Sequence, residues 1–172
     1  PASIEEVQGL IQSIKDTKEA LNGDQRLAKA KFKAEIFINQ LKDLNNAQRV
    51  DSIKQANDTD NLKDLSQIVS TASDLNNSMS ELKAKLKETV NPVKSSINYI
   101  NADYDLKRQF NKAVKDAREA LSKTKGANLN ERDIQGLSQA IDSTKDALNG
   151  EQHLAEAKEK SKQFIKQLDT LN

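Results

Sequence analysis

His153 is the only histidine in this chain of 172 residues, and imidazole is the side chain that most often serves as a metal ligand or general base. Cysteine is absent, so a zinc site or nucleophilic site built from His and Cys cannot form within the chain. The sequence also contains no Gly-rich phosphate loop, Ca²⁺ loop or Ser nucleophile motif. We therefore interpret His153 as a solvent-facing residue.

Carboxylates are the other side chains that could support acid–base chemistry. They are scattered among lysines at helical spacing, which is typical of helix-surface ion pairs. Examples are Glu81/Lys85, Lys112/Asp116 and Glu156/Lys160. The sequence thus predicts no enzyme activity, no cofactor and no catalytic, cofactor-binding or metal-binding residue, and it does not identify the ligand-binding residues.

Aromatic and basic residues offer two possible contact sites. Tyr99 and Tyr104 flank residues 101–103, where they either pack over a turn between helices or anchor a partner. A run of lysines forms either a solvated face or a contact for an acidic patch on a matrix protein, and it consists of Lys83, Lys85, Lys87 and Lys94. Both interpretations stay open for each site.

Composition restricts the fold and the partners. With 35% hydrophobic residues, 5 Gly and 2 Pro, the chain is predicted to be mostly helical. The 27 Lys and Arg residues nearly balance the 26 Asp and Glu residues, so the formal net charge is only +1 and gives no long-range attraction for nucleic acid. No apolar run approaches the roughly 18 residues of a membrane span, which argues against membrane insertion.

An internal repeat organises the chain. Residues 7–45 align without a gap on residues 134–172, and 23 of the 39 aligned pairs are identical. The offset of 127 residues is typical of a piece of a longer tandem array, so we expect an incomplete module at each end. His153 aligns with Arg26, which supports its solvent-facing position.

Apolar residues recur at three- and four-residue steps through both copies, which predicts amphipathic helices. The apolar stripe changes side at Asn22–Gly23, and in the second copy at Asn149–Gly150. Two helical halves therefore face different bundles. Whether Gly23 and Gly150 interrupt the long helices stays open at this stage.

Start and stop signals divide the remaining chain. Asn45 and Gln48 form a capping-box pattern that begins a short helix, with apolar positions at Ala47, Val50, Ile53 and Ala56. Residues 58–61 break the pattern, and a long helix follows. Its apolar positions are Leu62, Leu65, Val69, Ala72, Leu75, Met79, Leu82, Leu86 and Val90.

Three residues are predicted to mark boundaries in the second half of the chain. Pro92 should interrupt the long helix, because the residue before a proline is pushed out of the helical region. Asp103 is a candidate N-cap for the next helix, and Gly126 a candidate end cap. A further helix is expected over residues 131–148.

These elements predict an all-α fold in which tandem three-helix bundles are joined by long shared helices into a rod. If the chain ends lie in incomplete bundles, four residues should be more exposed than their counterparts Leu137, Ile141, Phe37 and Leu41. These four are Ile11, Ile14, Phe164 and Leu168.

Two stretches of sequence resemble known modules. Residues 27–31, 38, 41 and 44–48 resemble the GA module, a three-helix bundle related to bacterial albumin-binding domains. Residues 75–79 and 96–103 resemble the FIVAR module. The resemblance implies a truncated FIVAR-like helix at 1–23, a GA-like module at 24–76, a FIVAR-like module at 77–150 and the first helix of a truncated GA-like module at 151–172.

The alternation of modules resembles the giant extracellular matrix-binding proteins of staphylococci. This resemblance implies a bacterial cell-surface or cell-wall adhesin whose partners are fibronectin and neighbouring modules of the same array, with weak binding per module and multivalent binding overall. The short helix at 47–54 presents mostly charged or polar residues, which argues against albumin as a partner. A structural stalk without its own ligand is the alternative, and lipid binding is disfavoured by the few aromatic residues.

Overall fold

A computed structural model describes residues 3–171, and residues 1, 2 and 172, which include the last residue of the second repeat copy, lie outside this part. The described residues form seven helices and no strand, which confirms the all-α prediction. The helices are α1 (Ile4–Gln40), α2 (Asn46–Asp58), α3 (Leu62–Lys94), α4 (Ile97–Ile100), α5 (Tyr104–Leu121), α6 (Glu131–Asp146) and α7 (Gly150–Leu171). None of these helices is long and apolar enough to cross a bilayer.

The chain divides into two compact units. The first comprises the described residues up to 42 together with 49–74, and the second comprises 43–48 together with the described residues from 75 onward. α3 contributes its first part to unit 1 and the rest to unit 2. The predicted break at residues 58–61 is confirmed, since α2 ends at Asp58 and α3 begins at Leu62.

Unit 1 is built on the second half of α1. Its core residues are Ala34, Ile38, Ala56, Leu65 and Ala72. Side-chain-to-backbone hydrogen bonds tie α1 to α2: the Arg49 guanidinium donates to the carbonyl oxygens of Ile38 and Leu41 at 2.6 and 2.7 Å, and the Lys31 ammonium donates to that of Asn57 at 2.7 Å. These bonds provide partners for carbonyl groups at the C-terminal ends of α1 and α2, where a helix leaves its last carbonyl groups without partners of its own.

The exposure of Val50 contradicts one prediction about α2. Apolar spacing places it on the inward face of the short helix, but it is 67% exposed, whereas Gln48, Ser52 and Ala56 are buried. The buried positions of α2 therefore include two polar residues, and the side chain of one of them, Gln48, forms hydrogen bonds with the Asn45 amide and the Leu129 carbonyl oxygen. Val50 also adds one aliphatic side chain to the mostly charged and polar surface of this helix.

Unit 2 has the larger core. α5 packs against α6, and the second part of α3 completes the interior. The largest buried apolar side chains are Leu44, Met79, Leu82, Phe110, Val114, Ile134 and Ile141. Burying each side chain of this size contributes about 1.5–3 kcal/mol relative to exposure, so this cluster provides most of the driving force for folding unit 2.

The Asn45–Gln48 capping box is confirmed, and it lies inside unit 2. The amide of Asn45 donates to Gln48 Oε1 at 3.0 Å, and the amide of Gln48 donates to Asn45 Oδ1 at 2.9 Å. Their side-chain amides also donate to the carbonyl oxygens of Ala120 in the last turn of α5 and of Ala127 and Leu129 in the connection from α5 to α6. Losing one partner would leave a buried polar group unsatisfied at a cost of about 1–3 kcal/mol, so this network fixes where the connection lies.

Three boundary predictions need correction. α3 continues through Pro92 to Lys94, because a proline in the last turn removes only one backbone donor while Val90, two residues earlier, stays buried. Asp103 is the N-cap residue of α5, but its side chain makes no capping hydrogen bond. Gly126 lies beyond the end of α5, and an added Cβ there would meet the Ser122 carbonyl oxygen at 2.7 Å, so close packing rather than helix capping requires this glycine.

Candidate interaction surfaces

The side chains with potential catalytic chemistry are dispersed over helix surfaces. No group of three His, Asp or Glu side chains within residues 3–171 is arranged to hold a metal ion. Of the three expected ion pairs, Lys112–Asp116 is confirmed at 2.7 Å. Lys85 instead pairs with Asp142 at 2.5 Å, and Glu156 accepts a hydrogen bond from Gln152. The carboxylates therefore act as surface partners of cations and amides.

A polar junction joins α7 to the turn between α4 and α5. The Asn149 side chain accepts a hydrogen bond from the Asp103 amide at 2.9 Å, and donates one to the Asp103 carboxylate at 2.8 Å. The amide of Glu151 donates to Asn98 Oδ1 at 3.0 Å. His153 Nε2 lies 2.8 Å from Asp103 Oδ1. The interpretation of His153 as merely solvent-facing is thus incomplete, because it is part of this junction.

The junction lowers the pKa of one carboxyl group and requires glycine at one position. Hydrogen bonds from Asn149 first and His153 second stabilise the carboxylate of Asp103 and lower its pKa below the usual value. A Cβ on Gly150 would lie 2.5 Å from the carbonyl oxygen of Ile97 and 2.8 Å from the amide nitrogen of Ala102. Only glycine allows the backbones of α7 and the α4 turn to approach this closely.

The two tyrosines have different roles. Tyr99 is half-buried, its ring meets Phe110 edge to face at 6.1 Å between centroids, and its hydroxyl hydrogen-bonds with Asn111. The side chain of Tyr99 therefore packs against α5, where the sequence predicted packing over the turn at residues 101–103. Tyr104 lies exposed at the first residue of α5, so its ring is available to a partner.

The basic run is not one continuous cluster of available charges. Lys85 is engaged with Asp142, whereas Lys83, Lys87 and Lys94 are exposed. The three exposed lysines retain the ability to meet an acidic partner, and their contribution to binding stays a prediction.

Apolar side chains remain exposed on the first half of α1 and on α7. Ile14 is 60% exposed, whereas its counterpart Ile141 is fully buried. Phe164 is also more exposed than Phe37. Ile11 and Leu168 are exposed as well, whereas their counterparts Leu137 and Leu41 are half-buried, so the expected difference is confirmed for all four pairs.

An apolar groove runs between α1 and α3 of unit 1. Its volume is about 410 Å³, and it is lined by Ala30, Lys33, Ala34, Phe37, Leu62, Leu65, Ser66 and Val69. Phe37 and Leu62 are exposed at its edges. Apolar spacing assigns these side chains to the core and does not predict the groove. Only the small side chains Ala30 and Ala34 hint that the helices leave space there.

Two family models cover most of the chain. The GA module model matches residues 24–78 and 151–172, and the FIVAR domain model matches residues 78–149. Extracellular matrix-binding protein EbhA of Staphylococcus aureus strain Newman is 36% identical over 171 residues, and extracellular matrix-binding protein ebh of strain MW2 is 37% identical. The chain is covered to 99% in both alignments but spans only 5% and 2% of these relatives' lengths.

Solved structures show the same helical arrangement. The crystal structure of the 756–1003 domain of EbhA from S. aureus has a TM-score of 0.84 at 29% identity, with 94% of this chain and 66% of that chain covered. A second structure, from work on Embp-mediated adherence of Staphylococcus epidermidis to fibronectin, has a TM-score of 0.65 at 26% identity. It covers 73% of this chain and 98% of the other.

Proposed function

This chain belongs to the FIVAR and GA module families of staphylococcal extracellular matrix-binding proteins. From that membership we propose that it is a repeat unit of a bacterial cell-surface adhesin and that it binds fibronectin. In this proposal the chain comprises a GA-like module at 24–76 and a FIVAR-like module at 77–150, with partial modules at 1–23 and 151–172.

The observation that carries the proposal is the similarity to the Embp structure, which comes from work on adherence to fibronectin. The surface of this chain agrees with an interaction role. Its described residues present open helical faces with exposed apolar and charged side chains, including Tyr104 and the lysines of α3. Such faces suit contact with a large protein better than enclosure of a small molecule.

Binding by one unit is expected to be weak, because the exposed faces are mostly polar and rigid aromatic anchors are few. Tandem copies would raise retention through effective concentration without any new contact. This is the mode by which a long array of modest modules holds a matrix protein firmly.

A spacer role is the second candidate, and the continuous α1 supports it. Its 37 residues span about 55 Å at 1.5 Å per residue. In this case the array would hold another domain away from the cell wall, and the repeat itself would bind neither albumin nor fibronectin.

Surface plasmon resonance on immobilised fibronectin tests the proposal with the 172-residue chain and with two and four tandem copies of it. We expect a Kd in the micromolar range or weaker for the single chain and a steep fall in dissociation rate as copies are added. Albumin immobilised on a second channel serves as the comparison. A chain that binds fibronectin in no copy number is a spacer, and a nanomolar single chain contradicts the multivalent mechanism.

A further inference from the structure

The outward face of α1 in unit 1 differs from the same face in the second repeat copy. Phe32 and Ile36 are 67% and 45% exposed, although exposing large apolar side chains to water is unfavourable. At the aligned positions α7 carries Glu159 and Gln163. A helix of this repeat therefore forms without apolar residues there, and folding does not explain their presence in α1.

Two lysines flank this pair. Lys29 and Lys33 share a helical face with Phe32 and Ile36, because the four positions follow i, i+3, i+4 and i+7 spacing. No ion pair joins either ammonium group to another residue within 3–171. The aligned face of α7 has Glu156 in place of Lys29, so the face of α1 is cationic and apolar where its copy is acidic and polar.

The cationic face continues into the groove of unit 1. Lys33 also lines the groove between α1 and α3, whose other α1 residues include Phe37. Ile36 and Phe37 are adjacent in sequence, and both are exposed. One side of α1 thus presents, in order around the helix, an aromatic–aliphatic pair, two lysines and an apolar groove of about 410 Å³.

We propose that this surface, formed by Lys29, Phe32, Lys33 and Ile36 with the adjoining groove, is where unit 1 holds its matrix partner. The partner is a protein surface with an apolar side chain that enters the groove and acidic residues that meet the two lysines. The inference rests on the proposed function, since it names the contact face for that ligand. Buried apolar anchors within a polar ring are the arrangement that provides most binding energy in protein interfaces.

A protein partner fits better than a membrane. The surface offers one small apolar pair and two lysines on a folded bundle, whereas interfacial helices bury a long apolar face along their whole length. The groove adds a concave site, which a flat bilayer surface does not fill but a protruding side chain does.

The double variant Phe32→Glu, Ile36→Gln tests the surface, because it installs the residues that α7 already carries on a stable helix. Four tandem copies of the full chain are measured on immobilised fibronectin, and circular dichroism confirms unchanged helicity. We expect retention to fall about tenfold or more. The matched control, Glu159→Ala with Gln163→Ala in α7, should retain wild-type binding.

The lysines are tested separately with Lys29→Glu, which should slow association and weaken the dependence of binding on salt concentration. If wild-type chains bind fibronectin and the Phe32/Ile36 variant binds equally well, this face is not the contact, although the proposed function stands. If wild-type chains bind no fibronectin, both proposals are wrong. Binding to vesicles of equal parts phosphatidylcholine and phosphatidylserine that the double variant abolishes, with fibronectin binding unchanged, assigns the face to a membrane and overturns the inference.

Discussion

The two copies of the internal repeat have nearly the same sequence around Ala-Leu-Asn-Gly but different structures. In the first copy α1 continues through Asn22 and Gly23 without interruption from Ile4 to Gln40. In the second copy α6 ends at Asp146, and α7 begins at Gly150. The Asn-Gly pair thus permits a break but does not impose one.

Tertiary contacts explain the difference. In the second copy Asn149 is bonded to Asp103, and Gly150 lies against the backbone of the α4 turn. In the first copy no atom outside the adjoining residues and backbone of α1 itself lies within 4 Å of the position a Cβ on Gly23 would occupy. A mid-helix glycine costs about 1 kcal/mol relative to alanine, which is too little to end a helix that has no competing partner for its backbone.

The largest expected contrast between the copies concerns one aligned isoleucine. Ile141→Ala should lower the free energy of unfolding by about 2–5 kcal/mol, because it removes a fully buried side chain from the core of unit 2. Ile14→Ala, at the aligned position in α1, should change it by less than about 0.5 kcal/mol. Urea unfolding followed by circular dichroism measures both, and equal effects would contradict the difference in burial.

Glycine at the break is the next test. Gly150→Ala should destabilise the chain by about 1–3 kcal/mol, since the added methyl group meets backbone atoms of Ile97 and Ala102 that cannot rotate away. Gly136→Ala is the matched control, because nothing lies near that position in α6. A Gly150→Ala chain that melts at the wild-type temperature would show that the close approach does not persist in solution.

At Gly23, where α1 is continuous, we expect alanine to have the opposite effect on stability. Gly23→Ala should stabilise α1 by about 1 kcal/mol, because alanine has the higher helix propensity and the site is open. Amide hydrogen exchange around residue 23 should slow about fivefold. If exchange is unchanged or faster, then the helix is interrupted at Asn22–Gly23 in solution as it is in the second copy.

The smallest expected effect is on the pH dependence of the junction. The folded pKa of Asp103 is lowered, so its contribution to stability is complete above the usual carboxyl pKa and is lost as pH falls through the lowered value. Carboxyl NMR of Asp103 and the amide signal of Glu151 report this loss. Asp103→Asn should remove that part of the acid sensitivity, and an unshifted carboxyl titration would refute the hydrogen bonds to Asn149 and His153.

Local signals in the sequence are sufficient where short-range hydrogen bonding decides the structure. The Asn45–Gln48 box is predictable because both bonds close within three residues. The further hydrogen bonds of Asn45 to Ala120 and Ala127 cannot be predicted from local sequence, since they join residues more than 70 positions apart. The same limit explains Asp103, which matches the pattern of a helix cap but bonds across to Asn149 instead.

The proposed contact surface on α1 can be recognised in the sequence, but not from the apolar pattern alone. Phe32 and Ile36 stand out only when they are compared with Glu159 and Gln163 in the aligned copy, because that comparison shows that the helix does not need apolar residues there. The groove beside them depends on how α1 packs on α3, and no spacing in the sequence specifies the separation between two helices.

Helical class and the positions of the main helices follow from apolar periodicity and local motifs, because these depend on residues within a few turns of one another. The family is indicated by the resemblance of two stretches of sequence to known modules. Tertiary contacts decide the other features. These features are the continuity of α1, the break before Gly150, the exposure of Val50 and the groove, and each depends on which residues distant in sequence pack against it. Identical residues adopt different structures in the two copies because the free energy of a helix turn is small compared with that of the contacts competing for it.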